Sequence, residues 1–313
     1  MKSKPIVVVG SLNLDLVVHA ERIPLSGETV AGHGYDESLG GKGANQAVAA
    51  ARLGNEVCMI GCVGCDAYGK RLRDGMQSHG VDLSATAIVD GPSGLAVITH
   101  ARNGANSIVV IPGANGALDT IVIERHTEMI QGAAVLLLQL ETPMEAVVLA
   151  AGIASRAGVL VVLDPAPARD LPNELIATAT WITPNETEAA QLLHTAEPMN
   201  TESVADRLLA LGARNVALKL GDRGVLIKGR DCPAATMVPA FTVKAVDSTA
   251  AGDCFNAAFA SRLVYGSAPA EAARYANAAA AISVTRLGAQ ASMPKADEVE
   301  VFLKSKEAAS DAI

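Results

Sequence analysis

Residues 135–164, VLLLQLETPMEAVVLAAGIASRAGVLVVLD, are the stretch on which the fold turns. Val135–Leu140 is a short, almost wholly apolar run. Glu141 follows it, an Ala- and Leu-rich stretch with a helical pattern comes next, and Val159–Leu163 is a second apolar run ending on Asp164. Apolar runs this short, without polar alternation, read as strands covered on both faces, and two of them around a helix form the unit of a parallel sheet. Trp181–Thr183 and Val216–Leu220 continue the pattern. Glu141, Asp164, Asn185 and Gly221-Asp222 therefore each stand just past the carboxyl end of an expected strand, where open α/β sheets bind ligands. One such polar residue only marks the start of a loop; four in series point to a shared cleft.

Upstream the rhythm differs. Ile6–Val9 is a β-branched run, and after Gly10 the segment Ser11–Leu16 alternates polar and apolar residues, placing Asn13 and Asp15 on one face of a strand. The alternation alone fits an ordinary half-exposed strand equally well. Leu95–Ala101 and Ala105–Ile111 are joined through Arg102-Asn103-Gly104, and Asn-Gly between two strand-like runs signals a β-hairpin. Downstream, Gly252–Thr285 reads as nearly continuous helix of small residues, and the residues after Lys304 as a fraying end. No repeat, linker or low-complexity segment divides the chain, so a single domain over 1–313 is expected.

Half of the 313 residues are hydrophobic, 19% are charged and 3% are aromatic, which excludes a disordered chain. Against 25 Lys and Arg stand 33 Asp and Glu, a net charge of −8. No long-range field then draws nucleic acid or an anionic membrane, and neither is expected as a partner, although a local nest of backbone N–H groups can still hold phosphate. Cys58, Cys62 and Cys65 crowd together without a matching Cys or His pair downstream. They read as small buried hydrophobes in a reducing compartment, not as a zinc site. No apolar stretch reaches the ~18 residues of a membrane span, and Asn13 and Asp15 interrupt the first apolar run, so a cytoplasmic location is expected.

Two clusters of small residues precede helical patterns. Gly40-Gly41-Lys42-Gly43-Ala44-Asn45 leads into Gln46–Leu53, so the free N–H groups of a helix start are available to oxygen ligands. It is not a Walker A loop, since Gly43 rather than Ser or Thr follows Lys42, and no strand runs directly into a dinucleotide fingerprint. A purely structural turn fits it as well. In Val246-Asp247-Ser248-Thr249-Ala250-Ala251-Gly252-Asp253 an extended segment enters a helix through three small residues. The amides of Ala250, Ala251 and Gly252 would lie at the positive end of the helix dipole, suited to charge developing on a transferring phosphoryl group. Asp253 could accept a proton from an attacking hydroxyl, or be only an N-terminal helix acid. Rival chemistries lack their signatures. There is no Gly-x-Ser-x-Gly and no His-Glu-x-x-His, and His19, His33, His79, His100, His126 and His194 show no ligand spacing.

In order, and over nearly the whole chain, these motifs resemble those of PfkB-family carbohydrate kinases, the ribokinase-like members in particular. Gly10–Asp15 and Gly40–Ala47 are similar to the family's amino-terminal sugar signature, Asn185-Glu186-Thr187-Glu188 to its Asn-x-x-Glu motif, and Asp247–Asp253 to its carboxyl-terminal signature. Leu163–Arg169 and Val284–Gln290 resemble the ribokinase-like members. The resemblance implies a ribokinase-like α/β fold: an open, mostly parallel sheet with flanking helices plus a small β-sheet lid, the lid drawn from about residues 11–39 and 94–112. It also implies a homodimer paired through that lid, which would cover exposed strand edges.

The implied activity is ATP-dependent phosphorylation of D-ribose at its 5-hydroxyl. Another sugar or nucleoside (2-deoxyribose, fructose, adenosine) and a catalytically silent sugar sensor are the alternatives. By resemblance Asp253 is the base and Ala250, Ala251 and Gly252 form the anion hole; with the ordinary carboxylate pKa of about 3.9, Asp253 would orient the hydroxyl and take its proton late. Asn13, Leu14, Asp15, Gly40, Gly41, Lys42, Gly43, Asn45 and Glu141, with Asp253, would hold the sugar. Asn185, Lys219, Gly221, Asp222, Gly224, Gly252 and Asn277 would hold ATP, and Asn185 and Glu188 Mg²⁺, mostly through water. Asp247, Thr249, Ser283, Arg286, Gly288 and Ser292 match a K⁺ site. Two positions depart from the pattern: Lys219 stands where these kinases often carry a small hydroxyl residue, and position 248 is Ser rather than Thr.

Overall fold

The computed structural model describes residues 4–195, 199–230 and 232–310. Its strands, in chain order, are β1 Ile6–Val9, β2 Asn13–Ala20, β3 Gly32–Gly40, β4 Val57–Gly64, β5 Thr86–Val89, β6 Gly94–Ala101, β7 Asn106–Ile111, β8 Val135–Leu138, β9 Leu160–Leu163, β10 Trp181–Ile182, β11 Asn215–Lys219, β12 Val225–Gly229 and β13 Thr236–Val238. The helices are α1 Lys42–Arg52, α2 Ala67–Ser78, α3 Thr120–Arg125, α4 Thr127–Gln131, α5 Met144–Arg156, α6 Asn173–Thr178, α7 Glu186–Leu192, α8 Thr201–Ala210, α9 Ala251–Val264, α10 Pro269–Ser283 and α11 Ala296–Ser310.

Nine strands form one sheet in the order β13-β12-β11-β10-β9-β8-β1-β4-β5, parallel from β11 to β5 and antiparallel at the β12 and β13 edge. The run quoted first is β8, α5 and β9, paired in parallel. Because successive side chains of a strand point to opposite faces, Ile6, Val8, Val135 and Leu137 enter the core beneath α1, α9 and α10, while Val7, Val9, Leu136 and Leu138 enter the core beneath α5 and α8. Burial on both faces is why these strands carry no polar alternation. Small residues let α9 and α10 pack closely over the first core, where Phe259 is fully buried edge-on to Trp181 at 5.0 Å. Phe259→Ala there would cost about 3–5 kcal/mol.

The remaining four strands form a separate sheet, β3-β2-β6-β7. β6 and β7 are the hairpin that Asn103-Gly104 signals, and β2 pairs with β6 in parallel. In the shared register Asp15, Ala96 and Val110 lie on one face and Leu14, Leu95, Leu39 and Ile111 on the other.

Three local readings are corrected. The small-residue helix is two helices, because Gly266 adopts a left-handed φ of 79° and Pro269, which has no N–H to continue a helix, opens α10. Of the clustered cysteines only Cys62 is buried; Cys58 is half-buried and Cys65 exposed. The last helix runs unbroken to Ser310, past the point after Lys304 where a fraying end is expected. Among the described residues no helix is long and apolar enough to cross a membrane.

Candidate active site

At the carboxyl ends of the parallel strands, α9 begins on Ala250, whose φ of 58° is left-handed. That turn brings the Ala251 N–H onto the Ser248 carbonyl at 3.2 Å, so this expected anion-hole amide already has a partner within the loop. Asp253 follows in the first turn, 5% exposed. Its two carboxylate oxygens accept from Asn45 Nδ2 at 3.0 Å and Gln46 Nε2 at 3.1 Å, both on α1. Burial raises the Asp253 pKa, the nearby Lys42 ammonium opposes the rise, and Asp164 adds to it; the carboxyl titrates at about 6. This corrects the ordinary carboxylate value expected from sequence, and the reason is removal from water.

Further hydrogen bonds extend from this contact. Gln46 Nε2 also donates to Asp164 Oδ2 at 3.1 Å, its Oε1 accepts from Gln139 Nε2 at 2.7 Å, and Lys219 Nζ donates to Asp164 Oδ1 at 3.0 Å. Asp164 stands directly after β9, Gln139 directly after β8 and Lys219 closes β11. Gln139, Asp164 and Lys219 thus converge because β8, β9 and β11 end on the same edge of the sheet, and α1 brings Gln46 to them.

Towards the four-stranded sheet lie the expected sugar residues. Gly41, with φ 89°, caps α1, and a Cβ there would come within 2.7 Å of the Asn13 backbone nitrogen. A Cβ on Gly40 would collide with the Asp15 carboxylate. Gly43 packs as tightly against Gly10 and Ser11. The glycines are therefore what bring β2, and with it Asn13 and Asp15, against the start of α1. Glu141 accepts from the Ser11 hydroxyl and from the Lys42 N–H at 3.0 Å. Burial, then Glu141 and Asp253, push the Asp15 pKa up to about 7 against the pull of Lys42. For Lys42 burial works against the charge, but Asp253, Asp164, Glu141 and Glu188 outweigh it and hold its pKa above the ordinary lysine value. Asn45 Oδ1 is buried and has no hydrogen-bond partner among the described residues, an acceptor placed beside Asp253 for a ligand hydroxyl to satisfy. Asn13 accepts from Asn115 Nδ2 at 2.7 Å. Leu14 is fully buried on the opposite face, so its side chain packs the core and only its backbone remains for a ligand.

Beside Asp253 and Lys42 opens a cavity of about 730 Å³, which both line. Every residue expected to hold the nucleotide lines it, as do Glu188, Ala250, Ala251 and Asp253. The wall from Ala240 to Val243, including Phe241, was not anticipated; it is an irregular segment with no motif, visible only once β13 is docked. Asn185 and Glu188 form a reciprocal cap on α7: Glu188 accepts from the Asn185 N–H at 2.8 Å, and Asn185 Oδ1 from the Glu188 N–H at 2.8 Å. Burial raises the Glu188 pKa, with Lys219 opposing and Asp164 reinforcing. Asn277 spends its amide on the Val238 and Pro239 carbonyls, at 3.1 and 3.0 Å, which ties α10 to the cavity wall.

The expected cation residues also converge. Asp247 accepts from the Thr249 and Gly288 N–H groups at 2.9 and 2.8 Å, joining the loop before α9 to the turn after α10. Burial would raise the Asp247 pKa, but those bonds prevail and lower it. Ser283 and Ser292 each donate to a carbonyl three residues back and keep their oxygen lone pairs, while Arg286 pairs with Glu298.

The comparisons with known proteins agree with this architecture. The family model described as pfkB family carbohydrate kinase matches residues 3–296. A ribokinase from Haemophilus influenzae is 41% identical over 306 residues, covering 96% of this chain and 99% of that protein. A deoxyribokinase from Salmonella typhi is 35% identical, again over 96% and 99%. The solved structure of Arabidopsis thaliana ribokinase complexed with ribose and ATP superposes with a TM-score of 0.91 at 35% identity, over 96% of this chain and 99% of that one. The cleft, the sheet order and the matched motifs have one common account: the chain belongs to the PfkB family of carbohydrate kinases and has the ribokinase fold.

Proposed function

We propose that the chain transfers the γ-phosphoryl group of ATP to the 5-hydroxyl of D-ribose. One observation carries the reading: Asp253, buried at the start of α9, lines the 730 Å³ cavity together with Lys42, and Asp15 and Glu141 lie near enough to both to act on their charges. A base in that position can meet an alcohol held by the Asp15 and Glu141 carboxylates and a phosphoryl group held in the cavity. The similarity to ribokinases supports ribose as the alcohol.

In this reading Asp15 and Glu141 accept hydrogen bonds from sugar hydroxyls and Asn45 Oδ1 accepts another, so an analogue lacking a hydroxyl leaves a buried polar group unpaired and is rejected. Asp253 orients the 5-hydroxyl and takes its proton late, as the phosphoryl group leaves ADP; a carboxylate titrating near 6 is a better base than an ordinary one yet still too weak to ionise an alcohol beforehand. The Gly252 and Asp253 N–H groups at the start of α9 and the Lys42 ammonium stabilise the charge spread over the transferring group.

Glu188 and Asn185, with Asp164 beside them, offer the hard oxygen donors that suit Mg²⁺ held mostly through water, and the ion would supply charge neutralisation between the β- and γ-phosphates. Asp247, Ser283, Ser292 and the backbone at Thr249, Arg286 and Gly288 form an oxygen-rich set that fits K⁺, whose charge would order the loop leading into α9. The whole chain acts as one kinase unit in which residues 11–39 and 94–112 form the lid, excluding water from the reaction. Two chains pair through the lids, whose Ile108, Val109 and Val110 stand exposed on β7.

The test is ADP release with Mg-ATP and K⁺ for D-ribose, 2-deoxyribose, fructose and adenosine at equal concentrations. Strong preference for D-ribose is expected. Preference for 2-deoxyribose would move the reading to that sugar, and activity on none would refute it.

A further inference from the structure

The Lys219 side chain closes β11, is only 13% exposed and lines the nucleotide cavity. Its Nζ lies 3.0 Å from Asp164 Oδ1, and a Cβ built on Gly252 would stand 3.4 Å from the same nitrogen. The ammonium therefore sits against the first turn of α9, where the helix N–H groups and dipole also point. Asp164 engages one of the three N–H donors of an ammonium. A compact, strongly hydrated point charge in this place suits a phosphate oxygen.

We propose that Lys219 binds the γ-phosphoryl group of ATP, shared between that group and Asp164, and so makes the site discriminate a triphosphate from a diphosphate. The effect extends to the base. Asp164 Oδ2 accepts from the Gln46 Nε2 that also donates to Asp253 Oδ1, so Lys219, Asp164, Gln46 and Asp253 form one continuous hydrogen-bonded chain. Lys219 compensates the Asp164 charge, and Asp164 is one of the groups that raise the Asp253 pKa. Removing the lysine charge leaves Asp164 to act on Asp253 uncompensated. Loss of Lys219 then has two signatures: a selective loss of ATP over ADP, and an upward shift in the acid limb of the rate profile.

The inference rests on the phosphoryl-transfer reading above, and measuring nucleotide binding with no sugar present separates its failure from an error about ribose. Calorimetric titration of the wild type, Lys219→Gln and Lys219→Arg with Mg-ADP and a non-hydrolysable Mg-ATP analogue reads the first signature. Lys219→Gln is expected to weaken the ATP analogue tenfold or more and ADP less than about threefold, to lower kcat by roughly 10²-fold, as loss of one transition-state donor does, and to move the acid limb to higher pH. Lys219→Arg keeps the ATP preference. Should the glutamine variant be too unstable to purify, Lys219→Met combined with Asp164→Asn removes both charges of the buried pair and is expected to show the same selective loss of ATP. Equal losses for ATP and ADP, or unchanged affinity for both, would overturn the proposal.

Discussion

Asp253 is held between burial, which favours its proton, and the amide donors and Lys42 ammonium, which favour its charge. The balance leaves the carboxyl titrating about two pH units above an ordinary aspartate. A base must be ionised to act, so turnover is expected to fall about tenfold per pH unit below roughly pH 6, the limb belonging to Asp253; a limb centred near 4 would show that burial does not set it. Asp253→Asn keeps the shape, removes the basic oxygen, and is expected to lower kcat by at least ~10²-fold in a coupled ADP assay. Asp15 makes a prediction about stability. Its pKa rises from 3.8 to about 7, so between those values the folded chain holds a proton that the unfolded chain has released. The stability from this group is full below pH 3.8 and is lost as pH rises through about 7. Asp15→Asn, neutral throughout, should therefore raise Tm at pH 8 by about 2 °C or more relative to wild type and change it less at pH 5. Identical melting curves at pH 8 would contradict the burial account.

At the scale of elements, the site depends on how closely α1 meets β2. Gly41 supplies a left-handed φ and leaves room for the Asn13 nitrogen 2.7 Å from where a Cβ would stand. Gly41→Ala must both strain the turn and push β2 away, so we expect lower stability and a raised KM for the sugar with the KM for ATP little altered; an equal rise in both would mean the damage is global. The motif was legible as a glycine-rich entry to a helix, while its second function, bringing a strand of the other sheet against α1, was not. Likewise Asp253, Asn45 and Asn185 announce themselves by spacing and Asp164 by its place past a strand end, but Gln46 and Gln139 do not. Each of these two looks like a routine helix or loop residue until the fold brings it within 3.1 Å of its partner.

For the whole molecule, the question is what covers the small sheet. In its register Val17, Ile98 and Ile108 share the face that carries Asp15, and Ile108 is 53% exposed at the far end of it from Gly40. A chain paired through this face should sediment as a dimer, and Ile108→Glu, which puts a charge into the paired surface, should shift it to monomer; a wild type that sediments as a monomer would refute the pairing. The loop from Asp247 to α9 gives a second prediction at this scale, because it joins helices on both sides of the cavity mouth. Activity is expected to rise with K⁺ and only weakly with Na⁺, and equal rates in K⁺-free buffer would remove the cation from the account.

The sequence by itself determined the alternation of buried strands and helices, the hairpin at Asn103-Gly104, and the four motifs whose residue types carry the chemistry, because these rest on short-range patterns: hydrophobic period, turn preference and local spacing. Only the tertiary structure decided the break between α9 and α10, the exposure of Cys65, the raised pKa values of Asp15 and Asp253, and the chain from Lys219 to Asp253. Each of those depends on which strands are neighbours and how much water they exclude, and neither property is written in any local stretch of sequence.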